Sequence, residues 1–260
     1  MFAMQTLLVT RPHEAVLEVT LNRPAKKNAI NAEMWAELSE VLRHARDERS
    51  VRVLVLGGAG GAFCSGADLS GTNLSGSDTL TRMRSINEVA LLLHNLPKPT
   101  IAKVSGIAAG AGCNMALGCD IIIASTSARF SEIFVRRGLS VDFGGSFLLP
   151  RLIGMHKAKE LALTGEIIDA ARAEEIGLVN RVVAEAELDG VVAEMAERLA
   201  DGPPIAMGLT KALLNESLGR SMEEALEAEA MSQTINGRTA DAREAISAFL
   251  EKRAPHFVGE

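Results

Sequence analysis

The sequence predicts an α/β fold that gives way to an all-helical C-terminal part. Short apolar runs (VRVLVL, TIAKV, DIIIA) alternate with glycine-rich turns and amphipathic stretches. The order strand, small-residue loop, helix, strand recurs, as expected of stacked units. Beyond about residue 195 strand-like runs cease and only helical patterns remain.

Taken in order, Leu17, Val19 and Leu21 alternate with Glu18 and Thr20, the pattern of a half-buried strand. RPAKKNAIN interrupts it. Asn31 reads as the N-cap of a helix whose Met34, Leu38, Val41, Leu42 and Ala45 share one face. VRVLVL (51–56) reads as a buried strand ended by the cluster GGAGG. A helix follows near 79–95, stopped by LPKP. TIAKV (100–104) is a strand leading into the glycine-rich loop SGIAAGAG, an apolar helix and the strand DIIIA. The last amphipathic helices lie in AERLADGPPIAMGLTKALLNES, SMEEALEAEAMSQTI and ADAREAISAFLEKR. The chain therefore divides into an α/β core, 1–195, and a helical region, 196–260.

Composition narrows the function classes. With 260 residues and 47% hydrophobic content, a substantial core is expected. The 27 basic and 33 acidic residues give a net charge of -6 without a long basic run, which argues against nucleic acid. An anionic ligand would be met locally, by a few Lys or Arg residues and by backbone amides. Cys64, Cys113 and Cys119 suit neither a disulfide framework nor a metal site, so a reducing cytoplasm is expected. The start of the sequence does not read as a signal peptide, and no apolar run reaches the ~18 residues of a membrane span.

Several motifs are absent. GIAAGAGCNMALG places Met115 where a dinucleotide fingerprint needs its third glycine. There is no phosphate-binding loop, and Ser65 in FCSGAD lacks the G-x-S-x-G elbow of a hydrolase. The five histidines are scattered, and His94 reads as a packed residue in an apolar helix.

Two segments carry chemistry. GGAGGAFCSGADLS and SGIAAGAGCNMALGCDI are small-residue turns, the second opening a helix. Small side chains let a ligand approach the backbone, and a helix start offers unpaired N–H groups. Two such amides on one carbonyl oxygen would stabilise an oxyanion. Tight strand-helix packing is the alternative for either turn alone.

In combination and order, these segments resemble the crotonase (enoyl-CoA hydratase/isomerase) superfamily. The resemblance extends through LNRPAKKNAIN, RFSEIFVRRGLSVDFGGSFLLPRLIG, TGEIIDAARAEEIGLVNRVV and ISAFLEKRAPHF, essentially the whole chain. It implies a spiral of ββα units with C-terminal helices that assemble a trimer or a dimer of trimers. It also implies an acyl-CoA substrate, no cofactor beyond its CoA and no metal. The backbone N–H groups of Ala67 and Ala111 would form the oxyanion hole. Lys26, Lys27, Ala29, Asp68 and Leu69 fall where the family meets CoA, the last two largely through their backbone. Phe249 and Lys252 match residues that reach CoA across a subunit interface. For the lysines, a solvated surface charge is the alternative.

The chain departs from a hydratase at two positions. Where family hydratases carry two glutamates it has Asn114 and Phe134. Glu132 is offset from the second position by two residues and is expected to face elsewhere. Asn cannot exchange a proton at neutral pH, and Phe has none to give. An acid stands instead at Asp142, where double-bond isomerases and aromatic-thioester dehalogenases of the family place one. Its neighbours Val141, Phe143 and Phe147 are expected to form an apolar pocket that raises the carboxyl pKa. AAGAG and SAFLEKR are most similar to the oxepin-CoA-forming isomerase type of phenylacetate breakdown.

The resemblance thus implies an enoyl-CoA isomerase. Asp142 would take a proton from the α or γ carbon and return it elsewhere, while Asn114 holds a water or orients the acid. Asp142 as a mere helix cap is the structural alternative. The functional alternatives are a 2-enoyl-CoA hydratase, an acyl-CoA hydrolase or displacement enzyme with Asp142 as nucleophile, and a non-catalytic acyl-CoA-binding protein. The loop 70–84 is expected to shape the acyl pocket.

Overall fold

The computed structural model describes residues 4–70 and 78–260. Leu7–His13 (β1) and Val16–Leu21 (β2) pair antiparallel, and a 3-10 turn, Pro24–Lys26, leads to Ala32–Asp47 (α1). The Asn31 side chain accepts the Met34 N–H, as a helix N-cap does. Val53–Gly58 (β3), Thr79–His94 (α2), Thr100–Val104 (β4), Ile107–Ala109 (β5) and Ala111–Leu117 (α3) follow. Next come Ile121–Ser125 (β6), Arg129–Ser131 (β7), a 3-10 turn Ile133–Arg137, Gly145–Ile153 (α4) and Met155–Thr164 (α5). Ile168–Asp169 (β8), Ala170–Glu175 (α6), Arg181–Val183 (β9) and Leu188–Ala200 (α7) precede Pro204–Glu216 (α8), Met222–Asn236 (α9) and Ala240–Glu251 (α10).

β1 and β2 both enter the main sheet, whereas the units β4-β5-α3 and β6-β7-α4 each place one strand in each of two sheets. The main sheet runs β1-β2-β3-β4-β6-β9 and is parallel from β2 onward. The second strand of each turn enters a small sheet, β5-β7-β8, which a single parallel bridge extends from Ala108 to Cys64. The chain winds from main strand to side strand to helix and then advances by one strand.

The main sheet is buried on both faces, which explains its continuous apolar runs. Leu54 and Leu56 join the large core under the helices, whereas Val53 and Val55 face the other way. There, with Val16, Ile101 and Ile123, they pack against Leu188, Val192, Ala196 and Ala200 of α7. The boundary expected at 195–196 falls inside that helix.

Two expectations needed correction. The glycine cluster does not end the strand at residue 56, because Gly57 and Gly58 stay in register with Thr20 and Leu21. The stretch SGIAAGAG is not wholly a loop, since Ile107–Ala109 pairs with Arg129–Ser131. A three-residue strand is too short for an alternating pattern to declare it.

Helices α8 to α10 leave Leu214, Met222, Leu226, Ile235, Phe249 and other large apolar side chains in solvent, as does the 3-10 turn Ser217–Gly219 with Leu218. Among the described residues, no helix is long and apolar enough to cross a membrane. No three His, Cys, Asp or Glu side chains gather there to hold a metal.

Asn28 locks the loop before α1 to the rest. It is fully buried, and its amide donates to the carbonyls of Ala59 and Ala62 at 2.9 and 2.7 Å. Its Oδ1 accepts the Arg23 N–H at 2.9 Å, and its backbone sits in the left-handed region (φ 55). Asn28→Ala strands three buried backbone groups and keeps the costly backbone angle. We expect a stability loss of about 3 kcal/mol in urea unfolding at fixed protein concentration; a loss below about 1 kcal/mol would mean the loop is held otherwise.

Candidate active site

The two small-residue turns meet through the bridge between Cys64 and Ala108. The Cys64 N–H donates to Ile107 O, and the Ala109 N–H donates to Cys64 O, both at 2.9 Å. The approach depends on missing side chains. A Cβ on Gly66, whose φ is +100, would lie 2.9 Å from Ala109 O and 3.8 Å from the Ala111 nitrogen. A Cβ on Gly112 would lie 2.4 Å from Cys64 O. The Ala111 N–H belongs to the first turn of α3, where amides have no intrahelical acceptor. The bridge of Ala67 with Ile30 uses Gly66 O and the Asp68 N–H, leaving the Ala67 N–H outside the ladder.

The segment before α1 cradles the first turn. Lys27 O accepts the Ser65 N–H at 3.0 Å, and Lys26 O accepts the Ser65 hydroxyl at 3.2 Å. The side chains of Lys26 and Lys27 are exposed. Arg23, which sequence reasoning missed, donates to Ala29 O and forms an ion pair with Asp68 at 2.9 Å. The Ser70 hydroxyl and the Arg23 guanidinium hold the Asp68 carboxyl down at about 2. Asp68 also spends its N–H on Ile30 O. That amide is therefore engaged within the protein. Leu69 is half-exposed, and Phe249 and Lys252 lie on the outside of α10 and at its end. The loop 70–84 lies partly outside the described residues; from Thr79 onward it is α2.

Asp142 stands in a tight turn ahead of α4. Its carboxyl does not cap that helix: the Asp142 backbone carbonyl accepts the Gly145 N–H, and the cap position is Gly144. Its Oδ1 is buried with no hydrogen-bond partner, and burial raises the carboxyl to about 6. The next residue, Phe143, holds φ 49, a costly conformation for a bulky side chain, and its ring stacks on Trp35 at 5.3 Å. Phe147 does not join the expected pocket. It is exposed, with the Arg151 guanidinium 3.5 Å over its ring and His94 edge-on at 5.9 Å. His94 is half-buried, which lowers its pKa, and Asn215 donates to its carbonyl.

Asn114 is fully buried one turn into α3. Its amide donates to the Asp142 carbonyl at 2.9 Å, so it grips the backbone of that residue. Phe134, at the position of the second hydratase glutamate, is buried with its ring against Gly110. Glu132 does not face elsewhere as expected. It is 1% exposed, its Oε2 is 3.4 Å from the Asn114 amide nitrogen, and its Oε1 has no partner. Burial raises it to about 7; the Asp142 charge adds to the rise, while Cys113 and Asn114 oppose it. The two-residue offset misled because Glu132 ends β7 as the cap of a 3-10 turn, not as part of a regular helix. A usable signal was present: Glu132 is the sole acid between residues 121 and 141.

Gly112→Ala tests the close approach of the turns. Helix propensity alone favours Ala by about 1 kcal/mol. A Cβ 2.4 Å from Cys64 O and 2.7 Å from its Sγ opposes it, and the overlap should dominate. We expect a net destabilisation of about 2 kcal/mol in urea unfolding; a stabilised variant would show that the turns are loosely apposed.

The Enoyl-CoA hydratase/isomerase family model matches residues 11–260. Over 262 residues the chain is 38% identical to the 1,2-epoxyphenylacetyl-CoA isomerase of Escherichia coli, covering 99% of this chain and all of that one. It is also 38% identical to the short-chain-enoyl-CoA hydratase of Clostridium acetobutylicum, covering 92% of each. The crystal structure of an enoyl-CoA hydratase from Bacillus anthracis superposes with a TM-score of 0.94 at 34% identity, over 98% of this chain and 100% of that one. Sequence and spiral architecture agree: the chain is an enzyme of the enoyl-CoA hydratase/isomerase family, within the crotonase superfamily.

Proposed function

We propose that the protein is an enoyl-CoA isomerase that moves a double bond with Asp142 as its acid/base. The carrying observation is the Asp142 carboxyl: half-buried, raised to about 6, and free of any donor at Oδ1. A base of that kind is ionised at neutral pH and basic enough to take an acidified carbon-bound proton. The thioester carbonyl would sit against the N–H groups of Ala67 and Ala111. Charge developing on its oxygen is then met by fixed dipoles, a contribution of about 3 kcal/mol per donor in comparable sites. Asp142 takes the α or γ proton, an enolate forms, and the same carboxyl delivers the proton at the other carbon.

No cofactor beyond the CoA of the substrate is required, because no electron pair leaves the acyl group. Lys26 and Lys27 would offer positive charge to the CoA phosphates. Copies of the chain would join as a trimer or a dimer of trimers through the exposed apolar residues of α8 to α10, bringing Phe249 and Lys252 to a neighbour's CoA. Three buried free thiols fit a cytoplasmic setting. Similarity to the isomerase of Escherichia coli supports the choice of reaction. A second buried carboxyl, Glu132, favours hydration as the other reading, with one carboxyl for the water and one for the carbon.

Asp142→Asn should lower kcat for isomerisation of a 3-enoyl-CoA by about 10²–10⁴-fold with an unchanged fold. The wild-type kcat/KM should fall on acidification through about 6, since protonation removes the base. A mutant with near wild-type turnover, or an acid limb absent down to about pH 4, the range of an ordinary carboxyl, would remove Asp142 from the chemistry.

A further inference from the structure

Beside the proposed base lies a cluster rich in acceptors. Asn114 Oδ1, Glu132 Oε1 and Asp142 Oδ1 are all buried without a donor, around an amide whose N–H groups go to Asp142 O and Glu132 Oε2. Buried acceptors in such number are costly unless one of the groups brings a proton. Among these three only a carboxyl can do so. Glu132 is the deeper of the two, at 1% exposure, and its carboxyl faces the Asn114 amide.

The surroundings offer no counter-ion. From α3 the groups facing Glu132 are the Cys113 thiol and the Asn114 amide; from the turn before α4 it is Asp142. Its own 3-10 turn presents Ile133 and Phe134 to Gly110. Among the described residues no lysine, arginine or histidine pairs with it. With burial raising it, the Asp142 charge adding to the rise and no cation beside it among the described residues, Glu132 is the carboxyl of the two that keeps its proton.

We propose that Glu132 is a positioning residue: a protonated partner that leaves Asp142 the ionised carboxyl of the two and, through the Asn114 amide, holds the Asp142 backbone so that the base stays aimed. Glu132 does not touch substrate; it acts through Asn114 and Asp142. The proposal rests on Asp142 being the base. Glu132 ionises at about 7, so above that pH a second negative charge replaces the donor and the aim is lost. Its carboxyl is not at the position where family hydratases carry their second glutamate, which Phe134 occupies.

The test is a carboxyl-carbon NMR titration of the purified full chain without substrate, comparing wild type with Glu132→Gln and Asp142→Asn. In the wild type the two carboxyls should titrate as a coupled pair. Asp142→Asn should move the Glu132 midpoint down, and Glu132→Gln should reduce the Asp142 curve to a single step. In the isomerisation assay the wild-type kcat/KM should also fall on the alkaline side. Glu132→Gln, whose amide remains a donor, should keep kcat and KM within about threefold at neutral pH and lose that alkaline limb.

Independent single-site curves, each indifferent to the other substitution, would overturn the proposal. So would a Glu132→Gln profile identical to wild type, or water addition that Glu132→Gln abolishes, which would place Glu132 on the reacting water. Should Glu132→Gln fail to fold, the Glu132 midpoint in Asp142→Asn decides alone. The titration needs no turnover, so an absence of isomerisation would end the functional reading while leaving the coupling measurable.

Discussion

A pair of 2.9 Å hydrogen bonds between Cys64 and the strand Ile107–Ala109 joins the two turns on which the site depends. That bridge brings the start of α3 beside the Gly66–Ala67 turn, and it exists because Gly66 and Gly112 have no Cβ to hold the strands apart. The surrounding architecture serves the same contact. Asn28 and the carbonyls of Lys26 and Lys27 fix the first turn from one side. On the other side the Gly110 N–H donates to Ser131 O, which ties the second turn to β7 and so to Glu132.

Electrostatics then sorts the polar groups. Near CoA's expected path, charges are paired or solvated: Asp68 is neutralised by Arg23, and Lys26 and Lys27 stand in water. Behind the turns the opposite holds, and two carboxyls are buried with only an amide between them. Desolvation favours their neutral forms, and the Asp142 charge strengthens that preference at Glu132. A stability-driven core would avoid such an arrangement. Chemistry that moves a proton at carbon profits from it.

Much of this was readable from residue order. The Asn31 cap, the helix face of Met34 to Ala45 and the two-sided burial of VLVL follow from short-range rules, and those elements stand where expected. The importance of Asp142 came from resemblance, and its uncapped carboxyl from the structure. Arg23 and Asn28 were not legible, because their roles arise from contacts 45 and 34 residues apart in sequence, and Glu132, though marked as the sole acid of its stretch, meets Asn114 across 18 residues. Phe147 misled for a simpler reason: it follows the turn by one helical step and points outward to Arg151. A neighbour in sequence was taken for a neighbour in space.

The central claim is that the enolate formed here is quenched by a proton and not preceded by water. It is tested most directly by incubating the wild-type protein with matched 2-enoyl-CoA and 3-enoyl-CoA substrates and recording product mass and double-bond position. The account predicts products of unchanged mass with the double bond moved. A product heavier by one water from the 2-enoyl substrate, with no migration in either, would contradict it and identify a hydratase.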